Sequence, residues 1–218
     1  MNKSVYSIVL ADEVVRAIDE MAYSMNTSRS NLINQILAEK VSLMTPEMRM
    51  REIFTAIEQL MEPRFQFTEQ PSEAMISMKS PVRYKYKPTL RYSVELSRDM
   101  SGKVGRLKVS FRTKSRQLMD AADKFFTGWQ RLENKYLSEM FTGGVPSSAD
   151  NGRYVRDFYS PAAKRLSDDQ IAGAVAGYIR LMDKCIQLYF DSLTEGSSRS
   201  QEIEEIYKNY LTNGVIVL

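Results

Sequence analysis

The sequence predicts an α+β protein, in which a small N-terminal module of one strand and two helices precedes a larger, mostly helical domain with an antiparallel β-hairpin. Hydrophobic residues recur at helical spacing in four segments, residues 12–41, 45–60, 115–141 and 167–193. They alternate with polar residues over residues 5–10 and again between residues 89 and 112. The 218 residues, 43% of them hydrophobic, suffice for a core without disulfides, and Cys185 is the single cysteine.

The composition excludes several classes of catalytic chemistry. The chain has no histidine, which is the commonest metal ligand and the usual general base near neutral pH. With one cysteine besides, a single chain builds neither a Cys/His zinc site nor Ser-His-Asp or Cys-His machinery. Magnesium held by the Asp120–Asp123 or Asp168–Asp169 pairs stays open, although solvated helix positions explain these carboxylates better. We therefore expect no enzyme activity and no cofactor.

The chain shows no sign of a membrane or an export signal. No apolar run approaches the ~18 residues of a membrane span. The N-terminus, Met-Asn-Lys-Ser, lacks the apolar core of a signal peptide. We expect a cytoplasmic protein with no membrane partner.

The first forty residues predict a strand followed by two helices. In residues 5–10, Tyr6, Ile8 and Leu10 share one face of a short strand. Two carboxylates, at positions 12 and 13, favour the start of the first helix. Ser28 is a good N-cap for the second helix. A strand of six residues needs a partner strand to be stable.

This order of elements resembles the ribbon-helix-helix DNA-binding superfamily, the class of the Arc and MetJ repressors. The matching strings are Tyr-Ser-Ile-Val-Leu-Ala-Asp-Glu at residues 6–13 and Asn-Thr-Ser-Arg-Ser-Asn-Leu-Ile at residues 26–33. The second string is the more specific, because such families often carry a Ser-Arg-Ser run at the start of the second helix. The resemblance covers residues 3–43 and predicts a ribbon-helix-helix module at residues 1–43.

The resemblance implies a homodimer that binds double-stranded DNA. Its paired strands would lie in the major groove, with Lys3, Val5, Ser7 and Val9 facing the bases. The backbone N–H groups of Ser28, Arg29 and Ser30 would hold a phosphate. Two departures stand against the pattern: Ala11 replaces the usual proline, and the ribbon's centre has no Arg, Asn or Gln to read bases bidentately. Valine and serine favour weak or A·T-leaning readout, and a module kept for dimerisation alone is the alternative.

A second domain, residues 44–218, begins with a helix and continues into a basic hairpin at residues 82–113. Thr45 caps that helix and Pro46 takes its first position. Residues 82–87 predict an edge strand, since Pro88 interrupts the alternation. A two-residue Ser101-Gly102 loop predicts pairs whose numbers sum to 203. The apolar pairs would be Leu96 with Leu107, Val94 with Val109 and Tyr92 with Phe111; Glu95 would face Lys108, and Arg91 would face Arg112.

The positive charge of the chain is concentrated in this hairpin. Residues 82–116 hold eleven basic and two acidic side chains, a net charge of +9, whereas the whole chain has +3. The basic residues on the polar face of the hairpin are Arg83, Lys85, Lys87, Arg91, Arg106, Lys108 and Arg112. Such a face fits a nucleic-acid backbone or an acidic protein partner. A solvated outer sheet face is the plainer interpretation.

The remaining third is mostly helical. Long helices are expected at residues 115–141 and 167–193, and a last one at residues 198–210, with a short strand at residues 154–159 and a loop at residues 142–152. The apolar tail, residues 215–218, either adds an edge strand or docks in a groove.

The sequence therefore predicts a homodimer, or a higher homo-oligomer, that binds DNA as a transcriptional regulator such as a repressor. A bacterial accessory protein of plasmid transfer or maintenance is a close variant. The alternative from another class is a protein-interaction module, such as an antitoxin that neutralises its partner through the C-terminal domain.

Overall fold

The computed structural model describes residues 5–85, 87–100, 102–161, 166–213 and 216–218. Lys3, Ser101 and Val215, named in the expectations above, lie outside these ranges. The helices of the described residues are α1 (Asp12–Ser24), α2 (Arg29–Lys40), α3 (Pro46–Leu60), α4 (Arg116–Leu137), α5 (Asp168–Glu195) and α6 (Ser200–Thr212). None of these helices has the length and apolar character needed to cross a bilayer.

Most helices begin where the sequence predicts, because the expected capping residues form their hydrogen bonds. Ser28 caps α2, Thr45 caps α3 with Pro46 at its first position, and Ser115 caps α4. Ser167 and Gln170 form a reciprocal capping box at the start of α5.

One antiparallel sheet organises the larger part of the chain. Its strands within the described residues are β1 (Gln66–Ser72), β2 (Met75–Pro81), β3 (Thr89–Leu96), β4 (Lys103–Arg112), β5 (Ser147–Asp150) and β6 (Arg153–Tyr159). They lie in the order β1-β2-β3-β4-β6-β5. Alternate residues of the central strands, such as Tyr92, Val109 and Tyr154, are fully buried on the inner face against helices α4 and α5.

The expected ribbon-helix-helix start is wrong. Residues 5–10 form no strand; the chain enters α1 directly, and every described strand follows the first three helices. The physical reason is that residues 5–10 pair with no described strand of their own chain, and a six-residue segment needs such pairing to satisfy its backbone groups as a strand. The expected hairpin in a mostly helical domain is likewise corrected to a six-stranded sheet among the described residues.

The hairpin of β3 and β4 forms with the predicted faces but in another register. Leu96 lies opposite Gly105, Val94 opposite Leu107 and Tyr92 opposite Val109, so paired numbers sum to 201. A Cβ on Gly105 would overlap the backbone carbonyl oxygen of Glu95, so glycine permits this close approach. The shift is two residues, which keeps every side chain on its predicted face.

Three further strand expectations are corrected. The described residues between positions 82 and 87 form no strand, because β2 ends at Pro81 and bends and turns follow it. Strands β1 and β2 occupy residues 66–72 and 75–81, for which the sequence predicted no strand. Strand β5 lies in the segment expected to be a loop.

The apolar residues fall into two separate clusters. The larger one fills the space between the sheet and helices α3 to α6. The smaller one consists of Ile18, Ala22 and Leu32, with Ile33 packed beside them, and joins α1 to α2. The end of the C-terminal tail docks on the larger cluster, where Leu218 is buried, and forms no strand.

Candidate nucleic-acid interface

The outer face of the sheet carries polar and charged side chains in rows across the strands. In one row Lys79 lies opposite Arg91, which lies opposite Ser110, which lies opposite Arg153. The prediction that Arg91 faces Arg112 is therefore wrong. The like charge that directly faces Arg91 is Lys79, and such a pair is unfavourable for the sheet.

The unpaired cations collect at one end of the sheet. Strand β2 ends there, β3 begins there, and β4 passes from there into α4. We name this surface the basic end; its cations are Lys79, Arg83, Lys85, Lys87, Arg91, Arg112, Lys114, Arg116 and Arg153. Across the described chain, none of them forms an ion pair. The nearest strand carboxylate, Asp150 opposite Arg153, accepts a hydrogen bond from Asn151.

Three predicted cations surround a cavity at the start of α4. Lys85, Lys87 and Arg112 line a cavity of about 150 Å³, together with Ser115, the N-cap of α4. The N-terminus of a helix carries partial positive charge that adds to these side chains. The arrangement favours an anionic group such as a phosphate oxygen.

Arg91 is held differently from its exposed neighbours. Its side chain is half-buried, and its Nε atom is buried without a hydrogen-bond partner in the described residues. A buried N–H of a charged group without an acceptor is costly. Because this atom has no access to solvent, an anion bound over the row does not reach it without movement of the side chain.

Arg106 belongs to the predicted basic face but is neutralised. Its Nε and a terminal nitrogen donate to the carboxylate of Asp157 at 2.6 and 3.1 Å, and Lys103 reaches the same carboxylate at 2.8 Å. The hydrogen bonds from Arg106 hold the pKa of Asp157 below its ordinary value. With Glu95 also opposite Arg106, this end of the sheet has balanced charge. Lys108, exposed in the middle of β4, lies between the two ends.

The residues predicted at the start of α2 have partners of their own. The Ser28 hydroxyl accepts from the backbone N–H of Asn31 at 3.2 Å. Arg29 donates two hydrogen bonds to Asp19 of α1, at 2.5 and 2.6 Å, which raise the pKa of the guanidinium. Ser30 is exposed. The positive charge of Arg29 is thus already balanced by a carboxylate.

The residues expected to read the bases do not form the face of a strand. Val5 and Val9 are 99% and 102% exposed, and Ser7 is exposed between them, outside any strand. Lys3 lies outside the described residues.

The N-terminal helices lie at the opposite end of the sheet from the basic end. Asn31 and Gln35 of α2 donate to the carboxylate of Glu73, in the β1–β2 turn, at 2.7 and 2.6 Å. The length of β2, from Met75 to Pro81, separates this turn from the basic end, a distance of about 20 Å. The two candidate DNA contacts of the sequence therefore do not form one surface.

The buried ion pair between α4 and β6 lies beside a cavity too small for a substrate among the described residues. Arg156 of β6 and Glu133 of α4 form an ion pair at 2.9 Å, with side chains 1% and 0% exposed. Burial raises the pKa of Glu133, which also accepts a hydrogen bond from Tyr154. The cavity beside this pair, closed by the C-terminal tail, measures about 10 Å³, no more than one water occupies. The pair joins helix to sheet.

Sequence reasoning missed some cations of the basic end. Lys79 and Arg153 lie on β2 and β6, and neither strand was predicted to join the hairpin. Lys114 and Arg116 were counted in the charge of the segment but not placed on its face. The charge excess indicated where the cations collect, and the strands that were not predicted hid the extent of that surface.

Comparison of the chain with protein-family models, with curated proteins and with solved structures finds no match.

Proposed function

We propose that this chain is a homodimer that occupies double-stranded DNA, as a transcriptional regulator or as an accessory protein of plasmid transfer or maintenance. The proposal is carried by the basic end, whose cations have no ion-pair partner within the described ranges. Lysine and arginine that neutralise phosphates release condensed counterions, so such a surface gains affinity for a duplex. The protein would act by occupying a stretch of DNA, and it would make or break no covalent bond.

DNA contact is assigned to the basic end first. Lys85, Lys87 and Arg112, around the cavity at the start of α4, would bind one phosphate. The start of α2, with Ser28, Arg29 and Ser30, stays a proposed phosphate contact of lower rank, because Asp19 already neutralises Arg29. Base reading by residues 5–10 is no part of the proposal.

The homodimer is supported by apolar side chains that the rest of the described chain does not cover. The N-terminal residues with more than half of their surface exposed include Val5, Tyr6, Ile8, Val9, Leu37, Val41 and Leu43. Leu37, Val41 and Leu43 line a groove of about 1170 Å³ between α2 and the β1–β2 turn. Contiguous exposed apolar surface of this kind marks an interaction site.

Fluorescence anisotropy of labelled duplexes tests the DNA contact. The probes are duplex from the region upstream of the chain's own gene and a scrambled duplex, at about 50 and 200 mM salt, where phosphate-driven affinity falls steeply. Lys85→Glu and Arg112→Glu should each weaken binding to both duplexes. Each should also flatten the slope of affinity against salt by about one unit for every phosphate that is no longer neutralised.

Lys208→Glu is the matched control, because it reverses an exposed charge on α6, beside Tyr136 near the end of α4 that lies far from the basic end. It should leave the affinity nearly unchanged. If all three variants weaken binding equally, attraction comes from net charge alone and the assignment to the basic end is wrong. If the unaltered protein binds neither duplex even at low salt, the DNA proposal fails and an acidic protein partner, as for an antitoxin, takes its place.

A further inference from the structure

A second surface feature, separate from the basic end, lies between helices α4, α5 and α6. Helix α4, the end of α5 and the start of α6 enclose an open cavity of about 330 Å³, which we name the α4–α6 groove. Its volume falls in the range of small-molecule sites, roughly 300–1,000 Å³.

The floor of the α4–α6 groove is apolar and aromatic. Phe125 and Trp129 of α4 stack with ring centroids 5.8 Å apart and an interplanar angle of 23°, and Tyr189 of α5 lies 5.4 Å from Phe125. The indole N–H of Trp129 points away, since it donates to the hydroxyl of Tyr178 at 2.9 Å. Phe125 and Trp129 are themselves only 5% and 2% exposed. The half-buried side chains of Leu132 and Tyr189 supply the more accessible carbon surface of the groove.

Gly128 opens the groove in the middle of a 22-residue helix. Glycine lowers helix stability relative to alanine, so a glycine at such a position is usually explained by close packing. At Gly177 the ring of Tyr210 supplies that explanation, 3.7 Å from where a Cβ would lie. At Gly128, as at Gly173 of α5, no described atom beyond the chain neighbours and the nearby helix backbone lies within 4 Å of that position. Gly128 therefore leaves open space between the flanking side chains of α4.

The rim of the groove is positive. Lys124, Gly128, Arg131 and Lys135 follow one stripe of α4 at spacings of four, three and four, so the gap at Gly128 lies between cations. Lys135 is paired with Glu204 of α6 at 2.6 Å. Lys124 and Arg131 are exposed and form no ion pair with a described residue. Two cations beside a carbon floor complement a molecule with one anionic end and an apolar body.

We propose that the α4–α6 groove binds a small amphipathic anion, an aromatic or aliphatic carboxylate. Its apolar body lies against Leu132 and Tyr189, above the buried rings of Phe125 and Trp129. Its carboxylate lies in the space left by Gly128, between Lys124 and Arg131. This inference stands independently of DNA binding.

Trp129 provides the measurement, because it is the single tryptophan of the chain and lines the groove. The probe is 8-anilinonaphthalene-1-sulfonate, an aromatic anion that accepts excitation energy from tryptophan. We expect it to quench Trp129, and decanoate to displace it. Decylamine, with the same chain length and the opposite charge, should not displace it.

The deciding variant is Gly128→Leu, which fills the groove and replaces a poor helix former with a good one. It should weaken decanoate binding about tenfold or more without lowering the melting temperature. Gly128→Ala is the matched control, with the same gain in helix propensity and little added volume. Lys124→Gln with Arg131→Gln should abolish the preference for decanoate over decylamine.

Three results would overturn the proposal. Unchanged decanoate binding in Gly128→Leu would place the ligand elsewhere, for example on the exposed N-terminal residues. Equal displacement by decanoate and decylamine would mean apolar adhesion without recognition of an anion. A change in sedimentation of Gly128→Leu, with no ligand bound by the unaltered protein, would identify a second copy of the chain as the occupant.

Discussion

Neighbouring charges change the ionisation of single residues in this chain, and the half-buried carboxylate of Asp157 is the clearest case. Hydrogen bonds from Arg106, and then those from Lys103, hold its pKa below the ordinary value, near 3.9 in the unfolded chain. Its contribution to the free energy of unfolding is therefore present above that value and is lost as pH falls through the lower folded-state pKa. Asp157→Asn should lower the urea midpoint at about pH 7 and have a smaller effect at about pH 3, below the ordinary pKa of the carboxyl.

The control for Asp157→Asn is Glu205→Gln, which removes an exposed carboxylate of α6. Its effect on the urea midpoint should be small at both pH values. An Asp157→Asn effect that is just as large at low pH would mean that packing, rather than the ion pair, stabilises this site.

Cys185 shows the opposite extreme, a titratable group without access to water. The side chain is fully buried in α5, and burial raises the pKa of the thiol to about 12. Because the thiolate is the reactive form, iodoacetamide should modify Cys185 only when the protein unfolds. Labelling followed by mass spectrometry should show protection at low urea and full reaction past the unfolding midpoint.

The comparison for Cys185 is the variant with Cys185→Ser and Thr127→Cys, which moves the thiol to an exposed position of α4. That thiol should react readily in the folded protein. Rapid labelling of Cys185 under native conditions would contradict its burial.

At the scale of elements, the contact of α4 with β6 depends on the buried pair of Glu133 and Arg156. Removing one partner leaves an unpaired buried charge, which costs about 3–5 kcal/mol. Arg156→Met and Glu133→Gln should each lower the free energy of unfolding by roughly this amount, measured by urea titration. The double variant should lose less than either single variant, because no buried charge remains and the introduced amide still offers an oxygen to Tyr154. Additive losses would contradict the pairing.

How far the elements could be predicted depended on the strength of their local signal. The helices carry stripes and caps, such as Ser115 and Ser167, that act within a few residues. The strands β1, β2 and β5 lack comparable signals. Strand β2 points Met78 and Ser80 inward, neither a strong strand former, and β5 has four residues in a segment rich in glycine and serine.

The sequence predicted the positive charge of the candidate site but not which residues lie next to one another in it. The faces of β3 and β4 follow from alternation, so Arg91, Lys108 and Arg112 were placed correctly on the outer side. Their register was missed because the close approach of Gly105 to Glu95 is a tertiary contact that no local pattern encodes. The salt bridge of Arg106 with Asp157 joins two strands far apart in sequence and was missed for the same reason.

At the scale of the whole molecule, the proposed dimer predicts a dependence on the N-terminal apolar residues. Leu37 is 56% exposed, so Leu37→Asp should leave the fold intact while it shifts sedimentation velocity towards the monomer. Leu193→Asp is the control, since Leu193 is 40% exposed at the end of α5. Association that both variants retain would exclude this face as the interface, and loss in both would indicate general adhesion.

The separation of the N-terminal helices from the basic end has a consequence for how long a stretch of duplex the protein would protect. If two copies associate through their N-terminal helices, each basic end lies about 20 Å from the dimer interface, measured along β2. The two together span more than one turn of B-DNA, about 34–36 Å. Hydroxyl-radical cleavage should then show two short protected patches with reactive backbone between them.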